Sequence, residues 1–323
     1  MYRGRLYIDK EDVYVAYGAF IVDSLKDIVC FPKMKNVRAN DWQDEDGTDV
    51  DLSVTGYRYD TRSITLKFGF HGPAKDEVGF IEMLTDGVYH TFDFRPLCAS
   101  AYASRPKLRL ESNPSIDDMA DRRLGLLTFK FSDDAFGYVT PADAYPAATI
   151  VQDEAYGLNG IPFTAFNVNV LKGTLNNIRK MSDVKAALTR KHATANGVWY
   201  DAGSEVRFKS REVKMNCLLR AATPEAFWLY HQRLFKELTK PGGHSLYVAA
   251  TEEEYPCYYT SCSVSEFYTE IGGIVWMKFT LSFTLTGNLR NAIPGILLAA
   301  EDGETFILTD ERDFINMEPD KTK

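Results

Sequence analysis

Six carboxylates, Asp41, Asp44, Glu45, Asp46, Asp49 and Asp51, crowd around Gly47 in the stretch NDWQDEDGTDVDLS that runs from Asn40 to Ser53. Acids at this density can build a calcium loop or a catalytic acid cluster, or they can mark a solvated connection. An EF-hand-type loop needs oxygens at alternating positions, a central glycine and a closing bidentate acid. With Gly47 as that glycine, Trp42 opens the loop and Ser53 closes it, and neither carries a carboxylate. Opening at Asp44 instead puts Asp49 at the glycine position and Thr55 at the closing acid. The spacing therefore excludes that loop. A weak, irregular cation site is the form of metal binding left open, and no cofactor is expected.

Other catalytic signatures are missing from the sequence. There is no G-x-S-x-G nucleophile elbow, no phosphate-binding G-x-x-x-x-G-K-[ST], no H-E-x-x-H and no G-x-G-x-x-G. None of the five histidines sits beside an obvious partner in sequence. His90 and His244 open similar β-rich stretches, which points to a place flanking a sheet. The five cysteines, Cys30, Cys98, Cys217, Cys257 and Cys262, include no C-x-x-C pair. Cys257 and Cys262 have no second Cys or His pair nearby to complete a zinc site. Reduced thiols and a non-enzymatic role are expected.

Aromatic residues leave a binding function open. The chain has 18 Tyr, 20 Phe and 4 Trp, and exposed rings can serve as sugar-stacking platforms. Most of them fall on the inward parity of strands or on a helix stripe, where packing accounts for them. Trp42 and Trp199 are the exceptions, since both lie in polar loops.

Length and charge narrow the classes. A chain of 323 residues exceeds one ordinary core, so about two domains are expected. A net charge of -8 argues against a duplex-DNA binder, which needs a basic face to displace counterions. The opening MYRGRLYIDK has no apolar signal region, and no later run approaches the length of a membrane span, so no membrane partner is expected.

The elements that must carry these residues occur twice. Ala19-Phe20-Ile21-Val22-Asp23-Ser24-Leu25 is echoed by Ala165-Phe166-Asn167-Val168-Asn169-Val170-Leu171. A polar loop with tryptophan follows in each half, Asp41-Trp42 and Val198-Trp199-Tyr200-Asp201. Each leads to an arginine that opens an alternating strand, RSITLKFGF from Arg62 and REVKMNCLL from Arg211. A proline then precedes a helix, at Pro73 and Pro224, with apolar stripes Val78, Ile81, Leu84 and Phe227, Tyr230, Leu234, Leu238. Strands VYHTFDF and HSLYVAA resume after glycines, and long strands LGLLTFKFS and IVWMKFTLSFT close the halves. The order implies two copies of one mainly β, α+β unit with one main helix each. Residues 1-140 would be the first, 141-149 a proline- and alanine-rich linker, 150-287 the second and 288-323 a C-terminal hairpin extension. The second copy keeps the tryptophan and one aspartate but few other acids, so the acidic loop decorates a shared scaffold.

This succession of strand, polar loop, Arg-Ser-Ile-Thr-Leu strand, helix, Phe-Asp-Phe-Arg-Pro-Leu strand and long closing strand resembles phage distal tail and tail hub proteins. The particular likeness is to the tube-like domain of siphophage distal tail proteins. The resemblance implies a β-sandwich or split barrel, flanked by a helix, that closes into a ring around the tail channel. Family members with one such domain form hexamers, whereas hub proteins with two form trimers that mimic six-fold symmetry. The expected function is thus a structural virion component joining tail tube to baseplate or tail tip. Its partners would be its own copies, in a trimer or hexamer, and other tail proteins. DNA would pass without specific binding. Asp41, Trp42, Asp44, Glu45, Asp46, Asp49, Asp51, Trp199 and Asp201 would then line the channel or a subunit contact. The alternative is a carbohydrate- or receptor-binding module on a virion or cell surface.

Overall fold

A computed structural model describes residues 6–22, 25–35, 38–52, 58–72, 75–94, 106–117, 125–134, 155–187, 189–194, 196–200, 205–271, 274–287 and 289. Asp201, the expected linker and the C-terminal extension apart from Leu289 lie outside these residues.

The first half runs β1 (Tyr7–Ile8), β2 (Glu11–Asp12), α1 (Val13–Tyr17), β3 (Ala19–Ile21), α2 (Lys26–Val29), β4 (Ala39–Asn40) and β5 (Asp49–Val50). It continues with β6 (Arg62–Phe70), α3 (Glu77–Leu84), β7 (His90–Asp93), β8 (Lys107–Asp117) and β9 (Gly125–Asp133). The second half opens with β10 (Tyr156–Leu158), β11 (Ile161–Pro162), a 3-10 turn at Phe163–Phe166, β12 (Val168–Val170) and α4 (Thr174–Arg179). Then come β13 (Thr189–Arg190), β14 (Trp199–Tyr200), β15 (Arg211–Ala221), α5 (Pro224–Leu238), β16 (His244–Val248), β17 (Glu253–Ile271) and β18 (Ile274–Leu285).

The chain is mainly β. Edge to edge, one sheet reads β2-β1-β7-β8-β9-β6-β3 and the other β11-β10-β16-β17-β18-β15-β12, the same order position by position. The central strands alternate as their sequences predict. In β6, Ile64, Leu66, Phe68 and Phe70 are buried while Ser63 and Thr65 are exposed, and in β15 Val213, Met215, Cys217 and Leu219 are buried.

Helix α5 spans the expected residues. Thr223 caps it by accepting from the Ala226 amide at 3.2 Å, and Pro224 occupies the first turn. Its Phe227, Tyr230, Leu234 and Leu238 are all buried. The first-half helix departs from expectation. It starts at Glu77, because the Asp76 carboxylate accepts from the Gly79 amide at 2.9 Å and caps it there. That start leaves Val78 exposed and turns Phe80 and Leu84 inward, where Phe80 meets Phe68, Phe70 and Phe129 edge-on or tilted.

Two sequence matches also shift. The strand equivalent to Ala19–Ile21 is Val168–Val170, three residues beyond the Ala165 match, and the Ala165 segment is a 3-10 turn. What aligns them is a left-handed residue before each strand, Gly18 at φ 66° and Asn167 at φ 57°. The tryptophans are likewise not counterparts. Asn40 pairs with Asp49 and Arg190 with Trp199 in two ribbons with loops of equal length, so Trp199 occupies the place of Asp49 and Trp42 that of His192.

The arginines that open β6 and β15 do equivalent work. Arg62 Nη1 donates to the Ile28 and Cys30 carbonyls at 3.0 and 2.9 Å, and Arg211 Nη1 donates to the Asn177 carbonyl at 2.7 Å with Nη2 on Ile178. Each guanidinium thus satisfies carbonyls at the end of a short helix. Arg62 also pairs with the buried Asp133 at 2.5 Å, whereas Leu285 stands opposite Arg211. His90 and His244 fasten the turns after β1 and β10. His90 Nδ1 lies 2.6 Å from Asp9 Oδ2, and His244 Nδ1 accepts from Asn159 Nδ2 at 3.0 Å.

Candidate functional site

The acidic stretch is the tip of an arm, the β4–β5 ribbon, and it reaches onto the second half of its own chain. Gly47 donates its amide to the Phe208 carbonyl at 2.8 Å, and Asp46 Oδ1 accepts from the Phe208 amide at 2.9 Å. The Lys185 ammonium comes up from beneath. Its Nζ donates to the carbonyls of Trp42 and Gly47, each at 2.6 Å, and pairs with Asp41 Oδ1 at 2.5 Å. The Lys185 side chain is only 4% exposed, so these three oxygens replace its water. Gly47 is required twice over. Its φ of 74° is left-handed, and a Cβ there would lie 2.3 Å from the Thr286 carbonyl oxygen.

Within the acidic set, then, Asp41 and Asp46 touch the second half. Asp44, Glu45, Asp49 and Asp51 are exposed, as is the Trp42 ring. Trp199 and Tyr200 on β14 are exposed on the corresponding arm of the second half. No group of three or more His, Cys, Asp or Glu among the described residues is placed to hold a metal ion.

A larger seam lies beside the arm, and sequence reasoning missed it. The chain after α2 lays Phe31 against His231, Phe235 and Phe279, with ring centroids 4.3, 5.2 and 6.3 Å away. His231 Nε2 donates to the Val29 carbonyl at 2.7 Å, and burial pushes this imidazole down to about 4. Tyr259 Oη donates to the Pro32 carbonyl at 2.8 Å. Met34 donates its amide to the Thr260 carbonyl, also at 2.8 Å. That carbonyl is available because β17 bulges between Tyr259 and Ser261. Tyr59, bridged to Met34, sets its ring 5.4 Å from Phe235.

The only signal in the sequence for this seam was an apolar segment, FPKM, lying outside any regular element. The assembled site is a docking surface. Backbone hydrogen bonds, aromatic packing and one buried ammonium join the two halves, each contributing different elements, head to tail.

No protein-family model and no curated protein matches the chain. Among solved structures it is similar to the SPP1 Dit (gp 19.1) protein, titled a paradigm of the hub adsorption apparatus in phages that infect Gram-positive bacteria. The identity is 8%, the overlap covers 87% of this chain and 97% of that one, and the TM-score is 0.28. An overlap of that quality does not establish a shared fold.

Proposed function

We propose that this chain is a structural component of a phage tail, a ring-forming distal tail or hub protein between the tail tube and the baseplate or tail tip. Its residues 1-140 and 150-287 are two tandem tube-like domains that arose by duplication. One observation carries the reading: two halves of the same strand order are joined head to tail by backbone hydrogen bonds, from Met34 to the Thr260 carbonyl of β17 and from the arm-tip Gly47 to the Phe208 carbonyl. Such a joint uses different surfaces on its two sides, so it is repeatable, and repeating it closes into a ring or extends into a filament. The resemblance read from the sequence points the same way. Asp44 and Glu45, exposed at the arm tip, add negative charge that would let DNA pass without gripping it. The role is assembly, with other tail proteins as partners and no catalysis.

Electron microscopy of the purified protein, with light scattering for mass, tests this. The expected particles are rings of three or six copies with a central opening. A protein that stays monomeric at high concentration and binds glycans through Trp42 or Trp199 would instead support the receptor-binding alternative.

A further inference from the structure

The joint within the chain takes Phe31, Met34 and the arm tip from the first half and α5, β17, Lys185 and the Phe208 backbone from the second, and it leaves Met181 and Val184 of the second half exposed. In the first half, Phe31 and Met34 are 1% and 6% exposed, because the second half covers them. Their counterparts after α4 are Met181 and Val184, fixed by the equivalent bridges Met34 to Tyr59 and Val184 to Phe208. These are 55% and 54% exposed. The two halves carry apolar residues at both of these positions, but only the first pair is covered among the described residues.

The complementary seat exists on the first half. The β17 bulge that presents the Thr260 carbonyl has a twin in β8, between Leu110 and Ser112, where the bulged residue is Glu111. Beside it lies a cleft of about 260 Å³ lined by Leu84, Thr85, Leu110 and Glu111, among others. Thr85 ends α3 as Thr239 ends α5, and Leu110 stands where Tyr259 does. The cleft is thus the equivalent of the surface on which Pro32, Met34 and Tyr59 rest within the chain.

The arm seat is duplicated as well. Lys35 corresponds to Lys185, since each donates its amide across the same bridge, to Arg58 at 2.8 Å and Arg207 at 2.7 Å. Lys185 is buried under the first arm, whereas Lys35 is exposed. At the tip of the second arm, Asn196-Gly197 replaces Asp46-Gly47, with Gly197 at φ 83°. An asparagine Oδ1 accepts an amide hydrogen as an aspartate does. The ion pair is not repeated, because Lys191 stands in the place of Asp41.

We propose that the face of the second half carrying Met181, Val184 and Asn196-Gly197 docks on the first half of a second copy of this chain. The Val184 amide donates to the Glu111 carbonyl, Met181 and Val184 cover the cleft beside Thr85, and Lys35 binds carbonyls of the incoming arm. This names the contact surface of the ring proposed above and rests on that reading. A head-to-tail contact of this kind closes into a ring or extends into a filament.

The test uses the full-length protein and two variants. Met181→Asp with Val184→Asp disables the donor face, and Lys35→Glu with Glu111→Lys, both exposed positions, disables the seat. Each variant alone is expected to lose the oligomer in light scattering while keeping the wild-type circular dichroism. Mixing the two leaves one intact donor face and one intact seat, so a one-to-one heterodimer is expected. A cysteine pair, Val184→Cys with Glu111→Cys, should form cross-links between chains under mild oxidation that neither single variant gives. An oligomer that survives in the donor-face variant, or a mixture that stays monomeric, overturns the contact while leaving the ring intact as a reading. A wild-type chain that never oligomerises overturns both.

Discussion

His231 on α5 and Val29 at the end of α2 join the two halves by one hydrogen bond, from Nε2 to the carbonyl oxygen at 2.7 Å. Burial holds the imidazole neutral, with its folded value near 4 against an ordinary 6.5. The unfolded chain therefore binds a proton that the folded chain does not as pH falls through that interval. Stability is complete above about 6.5 and declines as pH drops toward 4, by on the order of 3 kcal/mol for this group. Burial lowers His244 too, and it adds to the same slope. Urea unfolding at pH 7 and pH 4.5 should show the loss, and His231→Gln should flatten part of it. An unchanged slope in that variant would mean that the imidazole is not held neutral.

Removing the buried ammonium should free the arm. Lys185→Ala is expected to cost about 2 to 3 kcal/mol, the scale of hydrogen bonds to a charged group. Hydrogen exchange at residues 41–47 should rise well before exchange in β15. Equal protection of the arm in variant and wild type would show that Lys185 does not hold it.

Neighbouring acids in the arm should behave differently. Asp46→Ala removes the acceptor for the Phe208 amide and should cost about 1 kcal/mol, while Asp44→Ala should stay within roughly 0.5 kcal/mol. Calcium should raise the melting temperature of neither variant nor wild type. A rise of several degrees that disappears in an Asp44→Asn, Asp46→Asn double variant would establish a metal site.

Arg62 and Asp133 form a buried pair, 7% and 0% exposed. Arg62→Leu should cost about 3 to 5 kcal/mol, because it strands a buried carboxylate and leaves the Ile28 and Cys30 carbonyls without their donor. Adding Asp133→Leu, the pairing partner seen as Leu285 in the second half, should recover much of that loss. No recovery would place the damage in the carbonyls alone.

Leu234 is fully buried between α5 and its sheet. Leu234→Ala should cost about 2 to 5 kcal/mol in denaturant unfolding. A cost below about 0.5 kcal/mol, the surface range, would contradict the packing of that helix.

The strands and α5 were legible because period-two alternation and a Thr-Pro cap are local signals, and β6 and α5 fall on the residues those signals mark. The α3 boundary was less legible, since Pro73 drew the start forward while the carboxylate of Asp76 sets it. Matching tryptophans misaligned the arms because residue identity was weighed over register; loop length and the shared Asx-Gly tip carry the equivalence. The acid cluster looked uniform in sequence. Only the fold separates Asp41 and Asp46, which meet Lys185 and Phe208, from Asp44 and Glu45, which meet solvent. Long-range seams of this sort leave no periodic trace, since Phe31 and His231 are brought together across 200 residues of chain.

Helix α5 has its own sheet on one side and, through His231 and Phe235, the first half on the other. Losing the first half would leave those side chains without their cover, and losing the second would uncover Phe31 and Met34. Each half therefore leans on the other for part of its burial, and melting should be a single cooperative event instead of two. Force applied to one half would then be borne by both, and partial unfolding offers no easy first step.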